Sequence, residues 1–158
     1  MSDLTDEGQV ALLAPMNSKQ LLGAGLIGLL IGLIVWGIGS VVDQYVLKIL
    51  FCQSTECVET TPYAIAAASI IGAGLGLFGL VKLRVLRPLL IAVAAMAGLW
   101  NLSLHVAELP IYGVILANVF LYGAMYVLFA WLARLRSIYI VLGLFLAIVV
   151  AMRFVLTS

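Results

Sequence analysis

Long apolar runs that no charged residue interrupts constrain this chain more than any other feature of its sequence. The first extends from about Leu21 to Val42. An α-helix rises about 1.5 Å per residue, so roughly 20 apolar residues cross the hydrocarbon core of a bilayer, which is about 30 Å thick. The composition agrees, because 65% of the residues are hydrophobic and only 9% are charged, against about 25% charged residues in a soluble domain. We therefore expect an integral membrane protein.

Five segments have the length and apolarity of a transmembrane helix. Each is continuously hydrophobic, whereas the strands of a membrane barrel alternate apolar and polar residues over about ten positions. The sequence thus predicts an all-α, polytopic membrane protein with a tail at 1–20 and a single five-helix domain at 21–158. The predicted spans are about Leu21–Val42, Tyr63–Val81, Pro88–Val106, Ile111–Ala133 and Ile138–Leu156.

The distribution of lysine and arginine predicts the orientation. Positively charged loops stay on the cytoplasmic side of a membrane, and six of the eight basic residues lie before the first span or in alternate breaks between spans. This pattern places the N-terminus in the cytoplasm, and an odd number of spans then places the C-terminus outside. It predicts a multi-pass protein of a plasma or inner membrane. The six residues are Lys19, Lys82, Arg84, Arg87, Arg134 and Arg136.

Both cysteines, Cys52 and Cys57, lie in the loop that this topology places outside. Cysteines in an oxidising compartment form disulfides, and a pair with this spacing can close a short loop. A catalytic dithiol usually has C-x-x-C spacing. A zinc site needs about four ligands, and His105 is the only histidine. A structural disulfide is the favoured interpretation; a redox-active pair, metal ligation and free thiols are the alternatives. The preceding segment, 43–51, is predicted to continue the first helix along the outer interface.

Two asparagines lie within the apolar sequence of the third and fourth predicted spans. Asn101 and Asn118 are equally far from the turn at Leu109 and Pro110, so an antiparallel hairpin brings both amides to a depth of about 10–13 Å below the outer surface. An amide without a partner is costly in hydrocarbon. The favoured interpretation is hydrogen bonding between the two helices, which contributes about 0.6 kcal/mol per bond on average in membranes.

The same hairpin has a second interpretation, a polar cavity that opens to the outside. Tyr122 and Tyr126 follow Asn118 at intervals of four, which extends one polar stripe along the helix. His105 and Glu108 lie near the turn, close enough to the interface to meet water. The residues that would line this cavity are Asn101, His105, Glu108, Asn118, Tyr122 and Tyr126.

Arg153 is the single charged residue within the fifth predicted span. Its long side chain can extend to the outer headgroups while its aliphatic part stays in lipid. This anchoring is the favoured interpretation. The alternative is an ion pair with an acidic residue on the outer side, either Glu108 or Asp43.

Small residues at helical spacing predict close helix packing. Gly28 and Gly32 form a G-x-x-x-G pair in the first span. Such residues let helix backbones approach closely, which matters in lipid because burying apolar surface between helices gains little. Packing within the chain is favoured over a dimerisation face, and a homo-oligomer stays open. A similar stripe in the second span consists of Ala64, Ala68, Gly72 and Gly76.

The functional prediction rests on which groups the sequence lacks. An enzyme brings titratable groups together in a protected site, and the predicted spans contain neither paired carboxylates nor a Ser-His-Asp arrangement. We expect no enzymatic activity, no cofactor and no metal site and, without a basic face, no nucleic-acid partner. The predicted function is an accessory or structural subunit that packs in the lipid bilayer against a larger membrane protein. The alternative is a small oligomeric transporter or channel with a polar cavity between spans three and four.

Overall fold

The computed structural model describes residues 17–51, 61–100, 102–106, 109–135 and 137–157, and the elements within these ranges are all helical. Three helical stretches among them are long and apolar enough to cross a membrane, namely Ser18–Leu47, Thr61–Lys82 and Ile111–Leu132. The elements are α1 (Ser18–Val41), a π-helical segment (Val42–Leu47), α2 (Lys48–Phe51), α3 (Thr61–Lys82), α4 (Pro88–Gly98), α5 (Leu102–His105), α6 (Ile111–Leu132) and α7 (Ile138–Thr157).

The first helix begins earlier than its apolar run. Asn17 caps α1, because its side chain accepts a hydrogen bond from the Lys19 amide and the Gln20 side chain accepts one from the Asn17 amide. This reciprocal capping box satisfies two amides that a helix N-terminus otherwise leaves without partners. The helix therefore begins at Ser18, three residues before the predicted span.

The same helix continues past the predicted end of the first span through the π-helical segment. Asp43 is the buried residue of this segment, at 9% exposure. Its carboxylate lies 3.4 Å from Lys48 Nζ and accepts a hydrogen bond of 3.4 Å from the Thr61 hydroxyl at the start of α3. A π-helical turn spaces aligned residues by five, which suits the Asp43–Lys48 pair. The buried carboxylate thus joins the end of α1 to the beginning of α3.

The third predicted span is not one continuous helix. The segment Pro88–Val106 divides into α4, which ends at Gly98, and the four-residue α5. The eleven residues of α4 cover only about 16 Å at 1.5 Å per residue. Arg153 of α7 donates a hydrogen bond of 3.3 Å to the Trp100 carbonyl between the two helices. A broken helix is tolerated at membrane depth where the released backbone groups find such partners.

The helix contacts define the packing order. α1 packs between α3 and α6, α4 contacts α3 and α6, and α7 lies mainly against α4. Gly25 of α1 faces Val127 and Gly32 faces Asn118, so α1 and α6 are antiparallel. The chain therefore forms two ends. The basic end comprises the start of α1, the α3–α4 turn and the α6–α7 turn; the opposite end comprises the π-helical segment and the α4–α5 break.

Glycines set how closely α1 approaches α6. A Cβ at Gly28 would lie 2.7 Å from the Tyr122 carbonyl oxygen, and one at Gly32 would lie 2.6 Å from the Asn118 carbonyl oxygen. Both distances are to backbone atoms, so only a glycine fits at either position. The G-x-x-x-G pair is therefore used for packing within the chain. On α3, Gly72 likewise meets the Val35 side chain of α1 at close range.

Candidate functional site

The polar stripe that the sequence predicts on α6 faces the interior of the bundle. Asn118, Tyr122 and Tyr126 are 1%, 3% and 1% exposed. Their spacing of four residues keeps them on one helix face. α6 packs against α1 and α4, and the two tyrosines also reach α3. Three of the six predicted cavity residues are thus brought together on one buried face.

Tyr126 extends across the bundle to α3. Its hydroxyl lies where a Cβ at Gly76 would be, and its Cζ would be 3.0 Å from that Cβ. Gly76 is itself buried. The phenol therefore occupies the space left by a missing side chain, which explains why the last position of the small-residue stripe on α3 is a glycine.

Tyr122 is paired with a residue that the sequence analysis did not select. A side-chain hydrogen bond links Tyr122 to Ser69 of α3, and Ser69 is only 2% exposed. Ser69 directly follows Ala68, a member of the small-residue stripe on α3. Ser69 is the one hydroxyl in the apolar stretch from Ala64 to Val81 of this helix, and this is a signal in the sequence, because a buried hydroxyl needs a partner.

Asn118 uses its amide within its own helix. Its Nδ2 donates a hydrogen bond of 2.9 Å to the Val114 carbonyl one turn earlier. The backbone of the same residue forms the surface on which Gly32 packs. Asn118 therefore lies at the level where Gly32 brings the backbone of α1 against that of α6.

Of the other three predicted cavity residues, the structure describes only His105. His105 is exposed at the end of α5. Asn101 and Glu108 lie outside the described residues, as do Cys52 and Cys57, the predicted disulfide. The predicted pairing of Asn101 with Asn118 stays a prediction.

Arg153 lies at the opposite end of the bundle, where its guanidinium contacts backbone. The Trp100 carbonyl accepts from its Nη1, and the side chain is partly buried rather than fully extended into solvent. The Asp43 carboxylate, one of the two acidic partners predicted for Arg153, has Lys48 Nζ and the Thr61 hydroxyl at 3.4 Å. Arg153 thus joins α7 to the end of α4.

Two grooves on the helix surface are apolar. The larger, of about 580 Å³, lies between α1 and α6 and includes Gly25, Ala124 and Trp131. The smaller, of about 340 Å³, lies between α4 and α7 and includes Val93 and Leu146. Apolar lining suits lipid chains or other helices rather than a polar solute.

At the basic end, hydrogen bonds connect the three parts of the chain that meet there. Gln20 Nε2 donates to the Leu83 carbonyl at 3.4 Å, and Arg87 Nη1 donates to the Leu135 carbonyl at 3.1 Å. Both Arg84 and Arg87 have left-handed backbone, with φ of 53° and 54°. A non-glycine residue rarely adopts this conformation, so the turn is held in a defined shape.

Metal-ligating side chains do not cluster in the part of the chain that the structure describes, where no three of His, Cys, Asp and Glu come together. The buried polar side chains among the described residues are the tyrosine and serine hydroxyls, the Asn118 amide and the Asp43 carboxylate. Comparison with protein-family models, curated proteins and solved structures finds no match for this chain.

Proposed function

We propose that this chain is a non-enzymatic integral membrane protein that acts as an accessory or structural subunit of a membrane complex. Its partners are then the lipid bilayer and a larger membrane protein, and it needs no cofactor. The observation that supports this role best is the use of the buried polar groups. Tyr122 bonds to Ser69, Tyr126 fills the space at Gly76, and Asn118 bonds to Val114.

The two tyrosines thus join α6 to α3, and the Asn118 amide is hydrogen-bonded within its own helix. A transport pathway needs polar groups directed into a space that a solute can enter. The two grooves described above are instead lined by apolar residues and face the outside of the bundle. This difference favours a scaffolding role over conduction through the chain itself.

The topology that we propose has five spans, with α4 and α5 together forming the third and α7 the fifth. The basic end then faces the cytoplasm, which agrees with the preference of lysine and arginine for that side. This orientation puts the N-terminus inside and the C-terminus outside, in a plasma or inner membrane. It also places Cys52 and Cys57 in an oxidising compartment, where a disulfide between them is expected.

A small oligomeric transporter or channel is the second candidate function. The hydroxyls and amide on α6 favour it, because they form a continuous polar stripe through an apolar helix. In that case Asn101, His105 and Glu108 would extend the stripe toward the outer surface.

The experiment that separates the two candidates is purification of the tagged, full-length chain in a gentle detergent, followed by native mass spectrometry. An accessory subunit is expected to retain a larger membrane protein at fixed stoichiometry. A matched sample is reconstituted alone into vesicles and assayed for flux of small ions and polar solutes. A clean homo-oligomer that supports flux, with no larger partner, would overturn the accessory role and establish the transporter.

A further inference from the structure

The basic end carries a concentration of positive charge. Five basic side chains among the described residues belong to this end, and the described acidic residue, Asp43, belongs to the opposite end. The anionic lipids of a membrane surface attract basic residues next to a span. The five are Lys19, Lys82, Arg84, Arg87 and Arg134.

The larger apolar groove leads toward this end. It follows α6 from Phe120 to Trp131 and is closed on its other side by Gly25 and Leu29 of α1. Eleven steps of 1.5 Å give a groove of about 16 Å, close to the depth of one leaflet, which is half of a hydrocarbon core of about 30 Å. Trp131 lies in the last turn of α6, where an indole marks the interface between hydrocarbon and headgroups.

Two basic residues lie at the level at which the groove ends. Gly25 of α1 faces Val127 of α6, and because the two helices are antiparallel, Lys19 lies at the level of Arg134. Lys19 is exposed, and the Arg134 amide bonds to the Trp131 carbonyl, which holds the turn next to the indole. An acyl chain in the groove would therefore bring its headgroup to the level of Lys19 on α1 and Arg134 in the turn after α6.

We propose that this end of the molecule binds an anionic phospholipid, with one acyl chain in the α1–α6 groove and the headgroup phosphate between Lys19 and Arg134. The charge selects the lipid class, because the two cations favour a headgroup of net negative charge over a zwitterionic one. The small, exposed side chain of Ala124 leaves space for the chain on the α6 side of the groove. The hydrogen bonds from Gln20 and Arg87 hold the surrounding turns in place before the lipid arrives.

Trp131 supplies a direct probe, because the other two tryptophans, Trp36 and Trp100, lie toward the opposite end. The full-length chain carrying Trp36→Phe and Trp100→Phe is reconstituted into phosphatidylcholine vesicles. Phosphatidylglycerol or phosphatidylcholine with brominated acyl chains is titrated over the same range of mole fractions, and quenching of Trp131 is measured. We expect the brominated anionic lipid to quench at several-fold lower mole fraction than the brominated zwitterionic lipid.

Charge variants test the headgroup contact. Removing two charges with Lys19→Gln and Arg134→Gln is expected to weaken the anionic preference by about fivefold per charge, since each basic residue near an anionic surface is worth about 1 kcal/mol. The matched control, Lys19→Arg with Arg134→Lys, keeps the charge and is expected to keep the preference. Equal quenching by the two lipids, or an unchanged preference without the charges, would overturn the proposal.

Groove variants test the acyl contact independently of charge. Ala124 is exposed within the groove, so Ala124→Phe fills it without disturbing the interior, and quenching of Trp131 by the anionic lipid is expected to fall. Ala147→Phe, at an exposed position of α7, is the control and should leave quenching unchanged. Inorganic phosphate added to the vesicles distinguishes the source of the anion. If millimolar phosphate abolishes the preference, the site is one for free anions and the lipid proposal is wrong.

Discussion

The α1–α6 contact and the α4–α7 contact differ in which atoms meet between the two helices. Between α1 and α6, Gly28 and Gly32 rest on backbone atoms of the facing helix. Between α4 and α7, side chains meet instead, and a groove of about 340 Å³ remains. Gly98 of α4 is the nearest equivalent, and a Cβ there would still be 3.9 Å from Val149.

In a membrane, the close α1–α6 contact is expected to stabilise the bundle more than the α4–α7 contact does. Lipid chains are as apolar as leucine, so helices in a membrane gain little from burying apolar surface and depend on close packing and hydrogen bonds. The glycine contact brings two backbones together and multiplies the dispersion contacts. α7 depends on fewer contacts: Val141 and Phe145 are its buried residues, and Phe145 lies 4.5 Å from Phe129, ring centre to ring centre. We therefore expect α1, α3 and α6 to form the stable part of the bundle and α7 to separate from it first.

The largest effect is expected for a methyl group added at the glycine contact. In Gly32→Ala the new Cβ would lie 2.6 Å from the Asn118 carbonyl oxygen and 2.9 Å from the Val119 Cα. Because both are backbone atoms, the helices must move apart, and we expect a loss of about 1–3 kcal/mol in the free energy of unfolding. Reversible unfolding in mixed micelles, followed by circular dichroism, measures it.

The matched control for this variant lies on the same helix. A Cβ at Gly37 would meet nothing within 4 Å, so Gly37→Ala is expected to change stability by no more than about 1 kcal/mol, in the stabilising direction, through helix propensity. Equal losses for the two variants would mean that α1 and α6 do not pack as closely as described.

The second effect concerns the contact of Tyr126 with α3. Gly76→Ala places a methyl group against the Tyr126 hydroxyl, and we expect a loss of about 1–2 kcal/mol. This is smaller than at Gly32, because the end of a side chain can shift whereas a backbone cannot. Tyr126→Phe removes the obstructing oxygen, so the double variant is expected to lose less than the two single variants added together, by at least about 0.5 kcal/mol.

The control for this cycle is Gly74→Ala, a position on α3 with nothing within 4 Å. It should combine additively with Tyr126→Phe. Additive behaviour of Gly76→Ala as well would contradict the contact between the phenol and α3.

The long helices of this bundle are predictable because their signal is local. Uninterrupted apolar length alone places α3 and α6 to within about two residues. The start of α1 differs by three, since Asn17 and Gln20 form a capping box that hydrophobicity does not register. The stripe on α6 is also local, because a spacing of four residues on a helix defines a face before any partner is known.

The remaining features depend on partners that are distant in sequence. The apolar run from Pro88 to Val106 gives no sign that α4 ends at Gly98, because the group that satisfies the break is Arg153, 53 residues after Trp100. Ser69 belongs to the polar cluster only because the Tyr122 side chain of α6 reaches it on α3. The burial of Asp43 likewise depends on the π-helical segment and on Thr61. Periodicity describes one helix at a time and cannot report these pairings.

The third effect is expected for the hydrogen bond that joins α7 to the segment after α4. Arg153→Gln removes the hydrogen bond to the Trp100 carbonyl, and we expect a loss of about 1 kcal/mol, within the range measured for hydrogen bonds between membrane helices. The loss should be local: hydrogen exchange of the α7 amides is expected to accelerate while that of the α1 amides stays unchanged. The control is Arg84→Gln, an exposed residue at the other end of the bundle. Equal acceleration in α1 and α7 would show that the bundle opens as one unit.

The smallest effect is expected for the buried amide, and it bears on function as well as packing. In Asn118→Leu the side-chain bond to the Val114 carbonyl is lost, but that carbonyl stays within its own helix ladder and the volume of the side chain is kept. We expect a change in stability of less than about 1 kcal/mol, measured by unfolding in micelles. The same variant combined with Asn101→Leu is also expected to leave assembly with a larger partner unchanged, because both amides then serve only to fix one hairpin. If the double variant folds normally but abolishes solute flux in vesicles, the polar face of α6 lines a pathway. The tightly packed helices α1, α3 and α6 would then hold that pathway, and the more loosely packed α7 would be free to move beside it.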